Sequence, residues 1–281
     1  MRQDRESNAS LRAPTGDRRA VLRLLALGAA WTSALPLQAA FAKGKPDRLA
    51  EAAIKEVIDG DTVMVDNGDQ VRLVGLQAPR LPLDRPGVKA WPLAAESKAA
   101  LERIALGKLA RFEYTGRPRD RYRRHLAHLF VGDLWIQGEM AKAGWARVYG
   151  FADNRARLRE LLAFEGEARA ARRGLWSDAF YRVRDAADVR QLDRDLESFQ
   201  LVEGKVLKAA IVRDRAYLNF GRIYRQDFTV MLDSAALRLF RAAGIDVADY
   251  EGRRLRVRGW LKSENGPAID VQFPEQVETL G

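Results

Sequence analysis

The chain has 281 residues, 47% of them hydrophobic, which is enough for one large core or two small ones and too much for a disordered protein. Its formal charge is +10, from 48 Lys and Arg against 38 Asp and Glu, and this favours an anionic partner such as nucleic acid or a membrane surface. Cysteine is absent and histidine occurs twice, so disulfides, thiol nucleophiles, thiolate metal sites and histidine-rich metal sites are excluded. A bound metal would be held by oxygen, as calcium- or magnesium-like ions are.

Residues 1–16 are polar, and Arg18-Arg19 precedes an apolar run from Ala20 to Ala40 that ends in Ala40-Phe41-Ala42. This reads as an export signal over 1–42, with Asp17–Arg23 resembling a twin-arginine signal; an uncleaved anchor or an amphipathic helix is the alternative. The expected location is periplasmic or extracellular. Cleavage removes six arginines and three acidic residues, leaving a net charge of +7.

A first domain is expected over 43–181. Leu49–Val57 reads as a strand, Thr62–Val65 alternates as a second, and Asn67-Gly68 signals a hairpin turn into a third strand over Gln70–Leu76. A helix over Pro92–Leu106 with Gly107 as its stop, strands Lys108–Tyr114 and His125–Val131, and a short helix Leu134–Ala143 follow. Asp153 reads as the N-cap of a helix to Arg173 in which Leu158, Leu161, Leu162 and Glu165 share a face. Five strands with helices between and after them describe an oligonucleotide-binding-type (OB) barrel. Residues 182–198 read as a charge-rich linker. A second small β-barrel is expected over 199–281, from strands Phe199–Leu207, Ala216–Phe220, Phe228–Leu232, Arg254–Trp260 and Ala268–Phe273 with a helix near Ala235–Ala243.

The chemistry concentrates in Val57–Arg80, where the acidic turn Asp59-Gly60-Asp61-Thr62 sits at one end of a hairpin and Arg72 enters from its return arm. Two carboxylates beside a guanidinium are a way to hold a cation and a phosphate near each other. Read alone, the turn is also what Asp and Gly form through local hydrogen bonding. A second basic segment, Asp120–Ala127, reads DRYRRHLA.

These segments resemble the staphylococcal nuclease (thermonuclease) family, whose first hairpin carries Asp-Gly-Asp-Thr and then an arginine strand ending in Asp-x-Pro-Glu. The resemblance runs from Leu49 to Trp176, with Gly144-Trp145-Ala146 and Gly174-Leu175-Trp176 as further matches. It implies Asp61 as metal ligand, Asp59 behind it as a supporting or turn-forming carboxylate, and Arg72 and Arg124 as catalytic clamps on the scissile phosphate. Tyr122 is a candidate for phosphate or base contact, with edge packing as the alternative. The chain departs from the pattern in Gln77-Ala78-Pro79-Arg80: Gln77 replaces a ligand carboxylate, and Arg80 stands where the family's Glu positions or activates water. Arg123 replaces a usual Gly. Calcium is therefore expected to bind weakly or not at all, and no haem, nucleotide cofactor or zinc is expected. His125 and His128 lie three apart in a strand, face opposite sides, and receive no catalytic role.

The leading expectation is an exported protein that binds nucleic acid or another polyanion, with impaired or absent phosphodiester hydrolysis. The segment 43–181 carries 25 basic and 19 acidic residues and is the expected anion-binding part. One alternative is an active calcium-dependent endonuclease with a site rebuilt from Asp59, Asp84 or Glu96; another is a scaffold or interaction protein for peptides or cell-envelope polymers. In the second barrel, Tyr217, Phe220, Tyr224 and Phe228 are candidates either to stack bases or to fill the core. Tyr217–Gly221 and Asp227–Val230 resemble a C-terminal module found beside nuclease-like domains in some bacterial proteins.

Overall fold

A computed structural model describes residues 48–82, 87, 89–223 and 225–281; the expected export signal, Asp84 and Tyr224 lie outside them. Alternating apolar residues in β1 (Glu51–Asp59), β2 (Thr62–Val65) and β3 (Gln70–Leu73) turn Ile54, Val57, Val63, Val65, Val71 and Leu73 inward. The β2–β3 connection is a tight turn closed by Val65 and Asp69. Gly68 lies at φ 81° and the Asn67 side chain accepts the Asp69 N–H at 2.8 Å.

The expected single strand Gln70–Leu76 is two. Gly75, at φ 86°, breaks it, and β4 (Gly75–Gln77) leaves to pair antiparallel with β8 (Arg147–Tyr149). That break swings Gln77 and Ala78 back towards the acidic turn.

Helix α1 (Ala94–Ala105) packs on β1, and β5 (Leu109–Glu113), β6 (His125–Val131) and β7 (Leu134–Trp135) complete a sheet in the order β3-β2-β1-β5-β6-β7. A parallel ladder joins the edge strand β3 to β6, with β7 left outside, so β1, β2, β3, β6 and β5 close into a five-stranded barrel. Register shifts in β1 opposite β2 supply bulges of the kind that bend a sheet into closure. Two helices, α2 (Ile136–Lys142) and α3 (Leu158–Ala170), cap the core with Ile136, Met140, Leu158 and Leu161.

Helix α3 starts later than expected. Its first turn begins after Arg157, without a side-chain cap, because Asp153 is ion-paired with Arg117 at 3.2 Å and residues 151–154 form a bridge and turn. Leu134 and Trp135 belong to β7 rather than to the following helix, since they pair back onto Val131 and Phe130.

Residues 182–198 contain β9 (Arg184–Asp185) and α4 (Val189–Arg194). The C-terminal β domain adds β10 (Phe199–Lys205), β11 (Lys208–Val212), β12 (Arg215–Asn219), β13 (Thr229–Leu232), helix α5 (Ser234–Ala242), β14 (Arg254–Ser263), β15 (Pro267–Asp270) and β16 (Val277–Leu280). Its sheet runs β11-β12-β13-β15-β14-β10-β9, with β16 on β14. Phe220 and Phe228 are core residues, ring centroids 5.0 Å apart, while Tyr217 is half-buried; the sheet's inner face claims the two phenylalanines.

Both domains belong to one compact unit. Phe273 of the second enters the barrel core, and Trp176, Phe199 and Leu201 form a cluster with Tyr149 against it. At the centre of the contact Arg258 is buried and donates to the Val148 carbonyl (3.1 Å), Glu165 (2.8 Å) and Glu278 (2.5 Å). Glu165, itself fully buried, also accepts the Val148 N–H at 2.7 Å and Arg169 Nη1 at 3.2 Å, so the cost of burying its charge is offset on three sides. Those two carboxylates hold the Arg258 pKa above its ordinary value against the opposing effect of burial.

Candidate nucleic-acid site

Gly60 lets the acidic turn lie against α1. A Cβ there would collide with the Ser97 hydroxyl and come within 2.7 Å of the Ala78 Cβ. In that turn the Asp61 N–H donates to Asp59 Oδ1 (3.0 Å), and Asp61 itself is buried.

The Asp61 carboxylate is fully engaged. Oδ2 accepts the Ala78 N–H at 2.6 Å, while Oδ1 accepts the Thr62 hydroxyl at 3.0 Å and pairs with Arg72 Nη1. Arg72 reaches it because β3 pairs with β2, setting Arg72 opposite Thr62, and its Nη2 donates to the Leu76 carbonyl at 3.0 Å. Burial lowers the Arg72 pKa to about 10, opposed by Asp59, so it remains a cation at neutral pH. Burial likewise raises the Asp59 pKa, and Arg72 pulls it back.

The parallel β3–β6 ladder sets Arg72 opposite Leu126, two residues after Arg124, which brings the two expected phosphate clamps to one wall. Arg123 occupies a left-handed conformation, φ 66°, so the turn usually made by glycine is kept with a side chain in place. Asp120 organises this loop: Oδ1 accepts the N–H groups of Tyr122 (2.8 Å) and Arg124 (3.0 Å), and Oδ2 pairs with Arg124 Nε (2.8 Å) and Nη2 (2.7 Å). Tyr122 is exposed, with Arg121 and Arg124 at 4.8 and 5.5 Å from its ring.

Gln77 faces a residue that the sequence reading missed. Its Oε1 accepts Arg147 Nη2 at 2.9 Å; Arg147 is buried, gives Nη1 to the Phe199 carbonyl at 2.9 Å, and has its Nε without a hydrogen-bond partner. Desolvation lowers its pKa to about 10. Arg80 is exposed and lies 5.4 Å from the Trp91 ring.

Asp59, Asp61, Arg72, Gln77, Arg80, Tyr122 and Arg124 all line one cavity of about 530 Å³, so the expected site residues are brought together. Five arginines line it against three aspartates, with Trp91, Tyr149 and Phe151 among the aromatic walls. Glu96 is exposed on α1 and is not on this wall. His125 and His128 lie outside it as well: His125 is buried within hydrogen-bonding distance of Tyr114 (2.8 Å), and His128 accepts the Trp135 N–H (3.2 Å).

A hard divalent ion such as calcium requires six to eight oxygens, several of them anionic. Here Asp61 is taken by Arg72, Thr62 and Ala78, Gln77 is neutral and turned to Arg147, and the pocket carries a cationic surplus. Among the described residues, no three His, Asp or Glu side chains gather as a metal-holding group. The donor set does not fit calcium.

A closed five-stranded barrel with an arginine-lined cleft beside an acidic hairpin turn defines a nuclease-like OB protein. The chain matches the family described as Staphylococcal nuclease homologue over residues 70–178. A thermonuclease of Staphylococcus intermedius is 31% identical over 118 residues, 41% of this chain and 69% of that protein. A thermonuclease of Staphylococcus hyicus is 29% identical over 125 residues, 43% of this chain and 73% of its own. Endonuclease YncB of Bacillus subtilis is 30% identical over 139 residues, 48% and 65% of the two chains. The chain belongs to the staphylococcal nuclease family, and its general function is of the nuclease type, related to nucleic acids. That family is typically calcium-dependent, and in its donor set this chain departs from it.

Proposed function

We propose that this protein binds nucleic acid or a similar polyanion through the arginine-lined cavity, and that its phosphodiester hydrolysis is impaired. The observation that carries the reading is the occupation of the Asp61 carboxylate by Arg72 and the Ala78 N–H, beside Gln77 and Arg80. Phosphate is served by the same arrangement. Arg124 is pre-oriented by Asp120 through Nε and Nη2, which leaves Nη1 directed to no partner among the described residues, and Arg72 adds a fixed charge behind it. Water activation has no counterpart at position 80, where a guanidinium is a poor base at neutral pH. The segment 1–42 is proposed to export the chain, so that binding takes place in the periplasm or outside the cell.

The test is equilibrium binding of labelled single-stranded DNA and RNA across a salt series, with a calcium-supplemented cleavage assay alongside. Binding should weaken steeply as salt rises, and Arg124→Ala should lower both the affinity and the salt slope. Efficient cleavage by the unaltered protein, lost in Asp61→Ala, would refute impairment. Salt-insensitive binding would instead favour an apolar partner.

A further inference from the structure

Tyr149 and Phe151 line the arginine cavity and also a second cavity of about 360 Å³ between the domains, whose far wall includes Trp260 and Lys262 of β14. The aromatic groups are continuous across this boundary. Tyr149 and Phe151 meet edge to face with centroids 5.1 Å apart, and the Trp260 indole N–H donates to the Tyr149 hydroxyl at 3.1 Å. Trp260 is 43% exposed and Phe151 36%, although both lie beside a well-packed domain contact. A large ring held by a hydrogen bond at its edge while its surface stays open suits stacking on a flat partner.

Resting on the nucleic-acid reading above, we propose that the bound polymer is single-stranded and crosses both domains: its phosphates lie on the arginines of the first cavity and its bases stack along Tyr149, Phe151 and Trp260. Charge supports the division of labour. The first cavity has its arginine surplus, whereas Lys262 in the second is neutralised by Glu264 (2.5 Å) and Asp270 (2.9 Å), which suits bases better than phosphates. Exposed rings engage unstacked bases, and a duplex keeps its bases stacked on one another.

The experiment measures anisotropy of labelled oligothymidylates of about four and about twelve nucleotides, lengths that bracket the usual span of one OB domain. Trp260→Ala should weaken the longer oligomer by about tenfold, leave the shorter within about twofold, and leave the salt slope unchanged, because stacking releases no counterions. Trp260→Phe should retain most of the affinity. Phe151→Ala, on the wall shared by the two cavities, should weaken the longer strand as well. Arg124→Ala should weaken both oligomers and reduce the slope by about one. Unchanged long-strand affinity in Trp260→Ala, with Arg124→Ala still impaired, overturns the two-domain path while the cavity reading stands, whatever Phe151→Ala does. Failure of the unaltered protein to bind either oligomer overturns the cavity reading and the path with it.

Discussion

Restoring the two departures from the family pattern, in Gln77→Asp/Arg80→Glu, should create calcium binding. The double change lowers the cavity charge by three units. One unit about 5 Å from a divalent ion is worth ~6 kcal/mol at an effective dielectric near 20, but only ~2 kcal/mol where water screens fully. Arg80 is exposed against Trp91, so its two units belong to the screened case. The carboxylate introduced at position 77 takes a half-buried place but would face Arg147, now 2.9 Å from Gln77, which offsets roughly half of its effect. Freeing Asp61 from Arg72 subtracts further, and the net gain is about 3–5 kcal/mol, or two to four powers of ten in affinity. Calcium at about ten times its dissociation constant would then stabilise the variant by roughly 1.4 kcal/mol, a rise of about 3–5 °C in Tm. Thermal unfolding with and without calcium reads this directly, with magnesium and Asp61→Asn as controls. A similar calcium-dependent rise in the unaltered protein, abolished by Asp61→Asn, would refute the argument that Arg72 and Gln77 disable the site.

Other substitutions probe the supports of the site. Arg123→Gly should raise stability by about 1 kcal/mol in chemical denaturation, because it relieves a left-handed non-glycine backbone at φ 66°, while weakening nucleic-acid binding through the lost charge. Gly60→Ala should push α1 or the Ala78 segment away from the acidic turn and destabilise by roughly 1–3 kcal/mol, with partial rescue by Ser97→Ala, as read by Tm. Arg258→Met leaves Glu165 buried with its charge only partly answered and should cost about 3–5 kcal/mol; loss below about 1 kcal/mol in urea titration would show that the ion cluster contributes little. Burial lowers the His128 pKa from 6.5 to about 4, so the unfolded chain binds the proton more readily between those values. Stability should fall as pH drops from 6.5 towards 4, and His128→Phe should flatten that slope in unfolding titrations at about pH 5 and 7.

What the sequence made legible was local. The acidic turn, Arg72 on a return strand and Arg124 in its loop are set by short-range turn chemistry and strand alternation, and the barrel follows from the order of those strands. Gly75 hides inside the apolar run Leu73–Leu76, where periodicity alone reads one strand; only its positive φ and the pairing with β8 separate two. Asp153 has the right identity for a helix cap, but the chain spends it on Arg117. Arg147 left no pattern at all. Its strand is three residues long, and its partners Gln77 and Phe199 lie 70 and 52 positions away in sequence.

The altered position 77 and the C-terminal domain are physically linked through that arginine. Arg147 divides its guanidinium between the Gln77 amide oxygen and the Phe199 carbonyl of β10, while Trp91, Tyr181 and Phe199 surround it at 5.8, 5.4 and 5.0 Å. Its neighbours Val148 and Tyr149 on β8 are held by Arg258 and Trp260 of β14. The short strand β8 therefore carries the second domain's grip to the floor of the arginine cavity. A carboxylate at 77 would have to choose between Arg147 and a metal ion, and a buried guanidinium already short of one hydrogen-bond partner is a strong competitor for it. For that reason Gln77→Asp alone should recover far less calcium binding than Gln77→Asp combined with Arg147→Gln, provided circular dichroism shows the domains still folded. Equal recovery in the single and combined variants would mean that Arg147 does not compete with the metal ion for the carboxylate at position 77.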